Sequence, residues 1–409
     1  MTHDASPPGE LTLENARWVG DDTADAVVTA FRAEHPDVSV RDVVHRMVDE
    51  LRRHPDEQHP LVRNYFLDGP ELPPWADGDR IAQGQQFFRD HGPLVGAALF
   101  CASLPEAYAA ADGVEVLAVT ADLVSNPRRR IAETGQFLVQ VMAFEGGDGA
   151  DTHHGLGRGG DAYRSVRGVR LVHATVRALV TDRLGEQWVA EHGRPVNQQD
   201  LVGTLLTFTS VVYRALDHLG IEYEADDADA HLHTWCVIGW LLGIDERLLP
   251  GSRSEADELA ALLREKLRRS SDAGRLLARA LLDELEEAMP RGAGSVPRTV
   301  TRHLIGDECA DMLGLPSAAW WRRLLGPLRD LDEFGGVRGP GSMSARALSR
   351  TVGRTMFSEY IARGTRGERL PFAIPADVAS KWRLKPHRQD RRARRRHRPA
   401  GAPGARPTP

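Results

Sequence analysis

In residues 167–180, RGVRLVHATVRALV, a helical period of 100° per residue gathers Val169, Val172, His173, Val176 and Val180 on one stripe. A neutral imidazole set in such an apolar wall has a ring nitrogen available to a metal. Arg170 and Arg177 fall at the edge of the stripe, one step toward the polar side, where guanidinium groups can meet carboxylates. Together these residue types suit a haem, with the imidazole on the iron and the arginines on the propionates. A hydrogen-bonded core histidine is the commoner reason for such a placement, and from this helix alone it is the favoured reading.

A second segment, RRRIAETGQFLVQVM over residues 128–142, puts Arg130, Thr134, Phe137 and Val141 on one face, at i, i+4, i+7 and i+11. A guanidinium aimed at an apolar face must find an anion, whether a propionate, a distal ligand or a structural carboxylate. A third segment, HLHTWCVIGWLLGI over residues 231–244, carries Leu232, Cys236, Gly239 and Gly243 as a ridge of mostly small side chains. Two interior glycines, each costing about 0.5–1 kcal/mol relative to alanine, point to close helix packing. His231 and His233 point to different sides of that helix, as solvent or outer-shell groups. The His153–His154 pair lies in a Gly/Asp-rich loop over residues 146–160, where solvation is the ordinary state. Neither ExxH nor HExxH occurs, which argues against di-iron carboxylate and zinc protease chemistry. Neither GxGxxG after a strand nor GxxxxGK[ST] occurs, so nucleotide sites have no support.

The elements that must hold these residues are helical. Helices are expected at about 80–90, 93–101, 105–110, 114–124, 128–143, 161–184, 198–219 and 226–243. More follow over 254–289 as one long helix or a pair, then 297–312, 317–333 and 343–362, and no run alternates as strands do. Pro127 stands at a helix start, and Gly220 and Gly243 at helix ends. Residues 1–20 read as disordered. Residues 25–53 read as helix broken at Pro36, and the Pro-rich 54–78 as a connection.

The chain has 409 residues and a net charge of −6, so no overall basic field suggests nucleic acid. Lysine occurs only at 266, 381 and 385, and arginine carries the positive charge as a general bias. The Arg-rich stretch from 381 to 398 is the exception in density; with only Trp382 among it, it supports no more than unspecific contact with RNA or a membrane surface. Cys101, Cys236 and Cys309 are too far apart for a disulfide framework, and the absence of CxxCH excludes covalent haem. No apolar run is long enough to span a bilayer and the N-terminus has no export pattern, so a cytoplasmic protein is expected.

Taken in order, several stretches resemble the rubber-oxygenase catalytic-domain family, which includes latex-clearing proteins and the oxygenase of mycophenolic acid biosynthesis. They are SLPEAYAAADGVEVLAVTADLVSNPRRRIAETGQF (103–137), RSVRGVRLVHATVR (164–177), VNQQDLVGTLLTFTSVVYRALDHLGI (196–221) and HTWCVIGWLLGI (233–244). HLIGDECADMLGLP and LPFAIPADVASKW resemble its closing elements. The resemblance spans roughly residues 80–385. It implies an all-α fold, a globin-like helical core with additional surrounding helices, around non-covalent haem b. It implies His173 as the iron ligand and Arg130 and Thr134 as the paired residues beside the haem. Glu115, in GVEVLA, lies near the place of the family's catalytic glutamate. Latex-clearing proteins have a lysine shortly after the arginine, where this chain has residues 131–133, IAE.

The chain is thus expected to comprise an N-terminal flexible segment and helix (1–79), a haem-binding oxygenase-like helical domain (80–385) and a disordered Arg-rich tail (386–409). The expected activity is a haem b-dependent oxygenase acting with dioxygen on a lipophilic small molecule, polyisoprene being a poor candidate without export. The alternative is a non-catalytic haem or hydrophobic-ligand binder of the same fold.

Overall fold

Short polar caps and proline-led starts open most of the helices. The structure, a computed structural model, describes residues 11–38, 42–44, 46–47, 59–119, 127–142, 155–289 and 295–316. The expected helices at 317–333 and 343–362, the His153–His154 pair and the Arg-rich tail lie outside these residues.

Helix α1 (Asp22–Glu34) is capped by Asp21, whose side chain accepts from the Ala24 amide. A turn at Ala16–Trp18 precedes it. Residues 11–20 are not loose, contrary to the sequence expectation. Ala16 is fully buried, and side chains of residues 198 and 199 donate to the carbonyls of Gly20 and Leu13. The Pro-rich connection contains a helix of its own, α2 (Pro60–Leu67), with Pro60 in its first turn, where a missing N–H costs nothing.

Helix α3 (Gly78–Ala98) starts on Asp77, whose carboxylate accepts from the amides of Asp79 and Arg80. It runs through Pro93 where two helices were expected. A π-helical turn, Leu99–Ser103, follows, and then short α4 (Leu104–Tyr108) and α5 (Ala111–Val119). Buried Glu106 on α4 is paired with Arg214, with Arg268 at 2.5 Å and with Arg264 at 4.0 Å, so one carboxylate ties three elements together.

Helices α6 (Pro127–Met142) and α7 (Asp161–His192) follow. The expected helix over 198–219 is two, α8 (Gln198–Phe208) and α9 (Ser210–His218). Thr209 breaks it at φ −122°, ψ −91°. Helix α10 (Ala225–Leu241) is next, and Gly220 (φ 62°) and Gly243 (φ 90°) close α9 and α10 as expected. The charged stretch after residue 252 is a helix pair, α11 (Arg253–Leu267) and α12 (Asp272–Ala288), each capped by a serine side chain. Helix α13 (Val296–Met312) completes the described chain.

The architecture is all-α. Among the described residues the only extended pairing is one isolated bridge between Ala110 and Arg268. No described helix is long and apolar enough to cross a membrane. The main core centres on α3 packed along α10, with α6, α8, α9 and α12 around it. Gly84 makes that closeness possible: a Cβ there would stand 2.5 Å from the Ala230 carbonyl oxygen. The small ridge read from the sequence faces elsewhere, a Cβ at Gly239 meeting Leu205 of α8. A second, smaller core joins α1 and α2 to α7 through Val27, Val28, Phe31, Val62, Leu171 and Ala174. The three cysteines are buried and free.

Candidate functional site

Helix α7 presents two different sides. Leu171 and Ala174 are buried in the small core against α1 and α2. Val169, Val172, His173 and Val176 are only half-buried, so the stripe that carries the imidazole is an apolar wall left partly open. The Nδ1 atom of His173 is itself out of solvent.

The arginines of α7 are engaged more deeply than the sequence suggested. Arg167 donates through Nε and Nη2 to the Tyr65 carbonyl, at 3.1 and 2.7 Å, and its guanidinium stacks 3.7 Å from the Tyr65 ring centroid. Burial depresses its basicity. Arg170 makes a two-pronged pair with Asp21, Nε at 2.6 Å and Nη2 at 2.8 Å. Burial alone would raise the Asp21 carboxyl, but the Arg170 hydrogen bond and charge outweigh it and hold the group below its usual range. Arg177 gives Nε to Asp25 at 2.7 Å and Nη1 to the Val196 carbonyl at 3.0 Å. Burial outweighs both nearby arginines at Asp25, whose carboxyl is pushed up. Two nitrogens of the Arg170 guanidinium are thereby engaged by the Asp21 carboxylate at the start of α1. Arg177 is different: its Nη2 is buried and has no hydrogen-bond partner among the described residues. It lies one turn from His173 and is the donor the site has to offer.

Helix α6 packs on α7 and is pinned at its C-terminal end. The Gln85 side-chain amide donates to the Val141 carbonyl at 2.9 Å, and the Ser165 hydroxyl meets Gln140 Oε1 at 2.8 Å. The expected stripe on this helix climbs out of the core, with Val141 fully buried, Phe137 half-buried and Thr134 exposed. Arg130 is in the first turn of α6, and its side chain lies outside the described residues. Glu115 is half-buried on α5. That helix meets the C-terminal end of α7, where Asp112 is 3.1 Å from His192 Nδ1, and Glu115 stands one turn beyond Asp112.

Two histidines of α10 are placed more firmly than expected. His233 is half-buried and accepts from the Asp77 amide at 3.0 Å, fixing the start of α3. His231 is a buried core residue, not a solvent or outer-shell group. Trp235 Nε1 donates to its Nε2 at 3.2 Å, and its Nδ1 lies 2.9 Å from the Tyr213 hydroxyl. Nε2 must accept, so the proton sits on Nδ1, and Tyr213 donates onward to the Ala228 carbonyl at 3.0 Å. Desolvation lowers its pKa to about 3.

Among the described residues no three His, Cys, Asp or Glu side chains cluster as a metal site. The donor set fits a haem: a single imidazole in an apolar wall, with a buried guanidinium nitrogen one turn away for a carboxylate. Sequence reasoning missed Asp21, Asp25, Gln85 and Gln198. The signal for the first two was the acid spacing Asp21-Asp22-x-x-Asp25, at the start of a helix, facing an arginine pair on another.

Comparison with known proteins bears on the family and the fold. The family described as ER-bound oxygenase mpaB/B'/Rubber oxygenase, catalytic domain, matches residues 87–331, more than half of the chain. A rubber oxygenase of Streptomyces sp. (strain K30) is 25% identical over 336 residues, covering 78% of this chain and 77% of the relative. The solved structure of latex clearing protein in its closed state superposes with a TM-score of 0.66 at 22% identity, over 91% of this chain and 97% of that one. At that identity the superposition speaks for the fold.

Proposed function

The chain belongs to the family of mpaB/B' and rubber oxygenase catalytic domains, and from that premise we propose that it is a haem b-dependent oxygenase of a lipophilic small molecule. The observation that carries this reading is the pairing on α7 of a half-buried imidazole, on a stripe of valines, with a buried Arg177 Nη2 that lacks a partner among the described residues.

When bound, haem b would supply an iron centre able to activate dioxygen. His173 would hold it through its imidazole, whose Nδ1 is shielded from water. Val169, Val172 and Val176 would exclude water from the face of the ring and offer an apolar surface to the substrate. Arg177 would donate from Nη2 to a propionate, while Arg170, held by Asp21, keeps the helix in place. On α6, Arg130 would supply a positive charge and Thr134 a hydroxyl for hydrogen bonding near the group. Glu115 is the candidate proton acceptor, a role that requires α5 to bring it within reach of a substrate held along α7. An alkene-bearing, isoprenoid or polyketide-like compound fits an apolar wall of this kind.

The test is spectroscopic. The purified chain titrated with hemin should develop a Soret band at a one-to-one ratio, and acidic organic solvent should extract the haem. A chain that stays colourless and refuses hemin would end the reading. Dioxygen uptake over a panel of unsaturated lipophilic compounds separates an oxygenase from a silent binder.

A further inference from the structure

We propose that Asp21 and Asp25, in the N-terminal segment ahead of the family-matched region, are positioning residues for His173, clamping α7 one turn to either side of the imidazole. The inference rests on the reading of His173 as an iron ligand, but its geometry does not.

Arg170 is at i−3 and Arg177 at i+4 from His173, so the two ion pairs bracket it along the helix. Both carboxylates come from one short element. Asp21 is the cap residue of α1 and Asp25 lies one turn on, so α1 acts as a rigid spacer between two attachment points. Apolar contacts between Leu171, Ala174 and the α1 side chains would tolerate a small rotation or slide of α7. A two-pronged guanidinium–carboxylate pair does not, because its two parallel hydrogen bonds fix direction as well as distance. The valine side of α7 is less tightly enclosed, since Val169, Val172 and Val176 are only half-buried.

The clamp is also covered. A Cβ on Gly243 would stand 2.6 Å from the Asp21 carboxylate and 2.7 Å from Arg170 Nε, and the φ of 90° there favours glycine. Gln198 donates to the carbonyls of Gly20 and Gly243, at 2.9 and 2.8 Å, and accepts from the Asp245 amide at 2.8 Å. The end of α10 and the start of α8 are thus closed over the Asp21–Arg170 pair. A charge pair so enclosed is screened little by solvent and keeps its directionality. It costs desolvation, which an arrangement serving stability alone would avoid with apolar residues. This is what a helix needs when one of its side chains must point at a fixed place.

The experiment uses the full chain with Asp21→Asn, Asp25→Asn and, as a control, Asp22→Asn. Asparagine caps a helix as well as aspartate, so Asp21→Asn removes the charge pair and leaves the start of α1 intact. Asp22 is highly exposed and, among the described residues, its carboxylate meets Arg194 at 3.4 Å. Amide hydrogen exchange over residues 169–176 is measured first, without haem. Both buried-site variants should exchange at least tenfold faster there than wild type, with Asp22→Asn unchanged. In hemin-loaded protein the ferrous iron–histidine stretching band should shift or broaden, and the hemin dissociation constant should rise at least tenfold, as for other outer-sphere partners of a ligand histidine. Unchanged exchange over 169–176 in both variants, or an equal effect from Asp22→Asn, would overturn the proposal whatever the haem result. A wild type that binds no hemin, with faster exchange in the variants, would sink the ligand reading and leave the clamp standing.

Discussion

Arg177 follows His173 by one helical turn, and its Nη2 is buried with no hydrogen-bond partner among the described residues. A guanidinium with two nitrogens occupied and a third unused is unusual in a protein interior, where an unmet donor costs about 1–3 kcal/mol. Arg177→Lys tests what that nitrogen is for. Lysine can keep the charge near Asp25, yet it has no fork to serve two directions. Hemin affinity should fall about tenfold, a size typical of lost outer-sphere contacts. Fluorescence-quench titration with hemin measures it, and an unchanged affinity would remove Arg177 from the site.

His173→Ala should lose most of its haem, or keep it with a shifted ferric spectrum, and lose oxygen uptake. His153→Ala and His154→Ala should leave the spectrum as it was. The order of damage is the test: a larger effect from either loop histidine would shift the ligand assignment away from α7.

His231 should make the fold sensitive to acid. Its folded pKa, about 3, lies below the ordinary histidine value of 6.5. Between those values the unfolded chain takes up a proton that the folded chain refuses, so stability is complete above pH 6.5 and drains as pH falls toward 3. His231→Phe should lose that slope while being less stable at pH 8 by about 1–3 kcal/mol, since the Trp235 N–H is left without its acceptor. Urea unfolding of both proteins at pH 8, 6 and 4 decides it. Parallel stability curves would mean that His231 already carries its proton in the fold.

Gly84→Ala should be among the most damaging single-methyl changes. The added Cβ would meet Ala230 backbone, which cannot rotate away as a side-chain tip can. Overpacking of this kind costs about 1–3 kcal/mol, read as a lowered thermal midpoint. An equally stable variant would show that α3 and α10 can separate at little cost.

What the sequence determined by itself was the local and periodic part. Helical period, proline starts and glycine ends are set by neighbours within a turn, so α6, α10 and the ends at Gly220 and Gly243 could be read off the chain. The apolar stripe holding His173 is a property of one helix and was legible for the same reason. Where the reading failed, distant residues decided. Pro93 sits inside α3, and α8 breaks at Thr209, because packing across the core outweighs local propensity. Residues 11–20 look disordered in isolation, since their order comes from carbonyls accepting hydrogen bonds from Gln198 and Gln199, far along the chain. The partners of Arg170 and Arg177 were likewise invisible. A guanidinium on a helix edge can meet any carboxylate, and only the fold brings Asp21 and Asp25 to these two, holding Arg170 by two nitrogens and leaving Arg177 with a buried nitrogen to give.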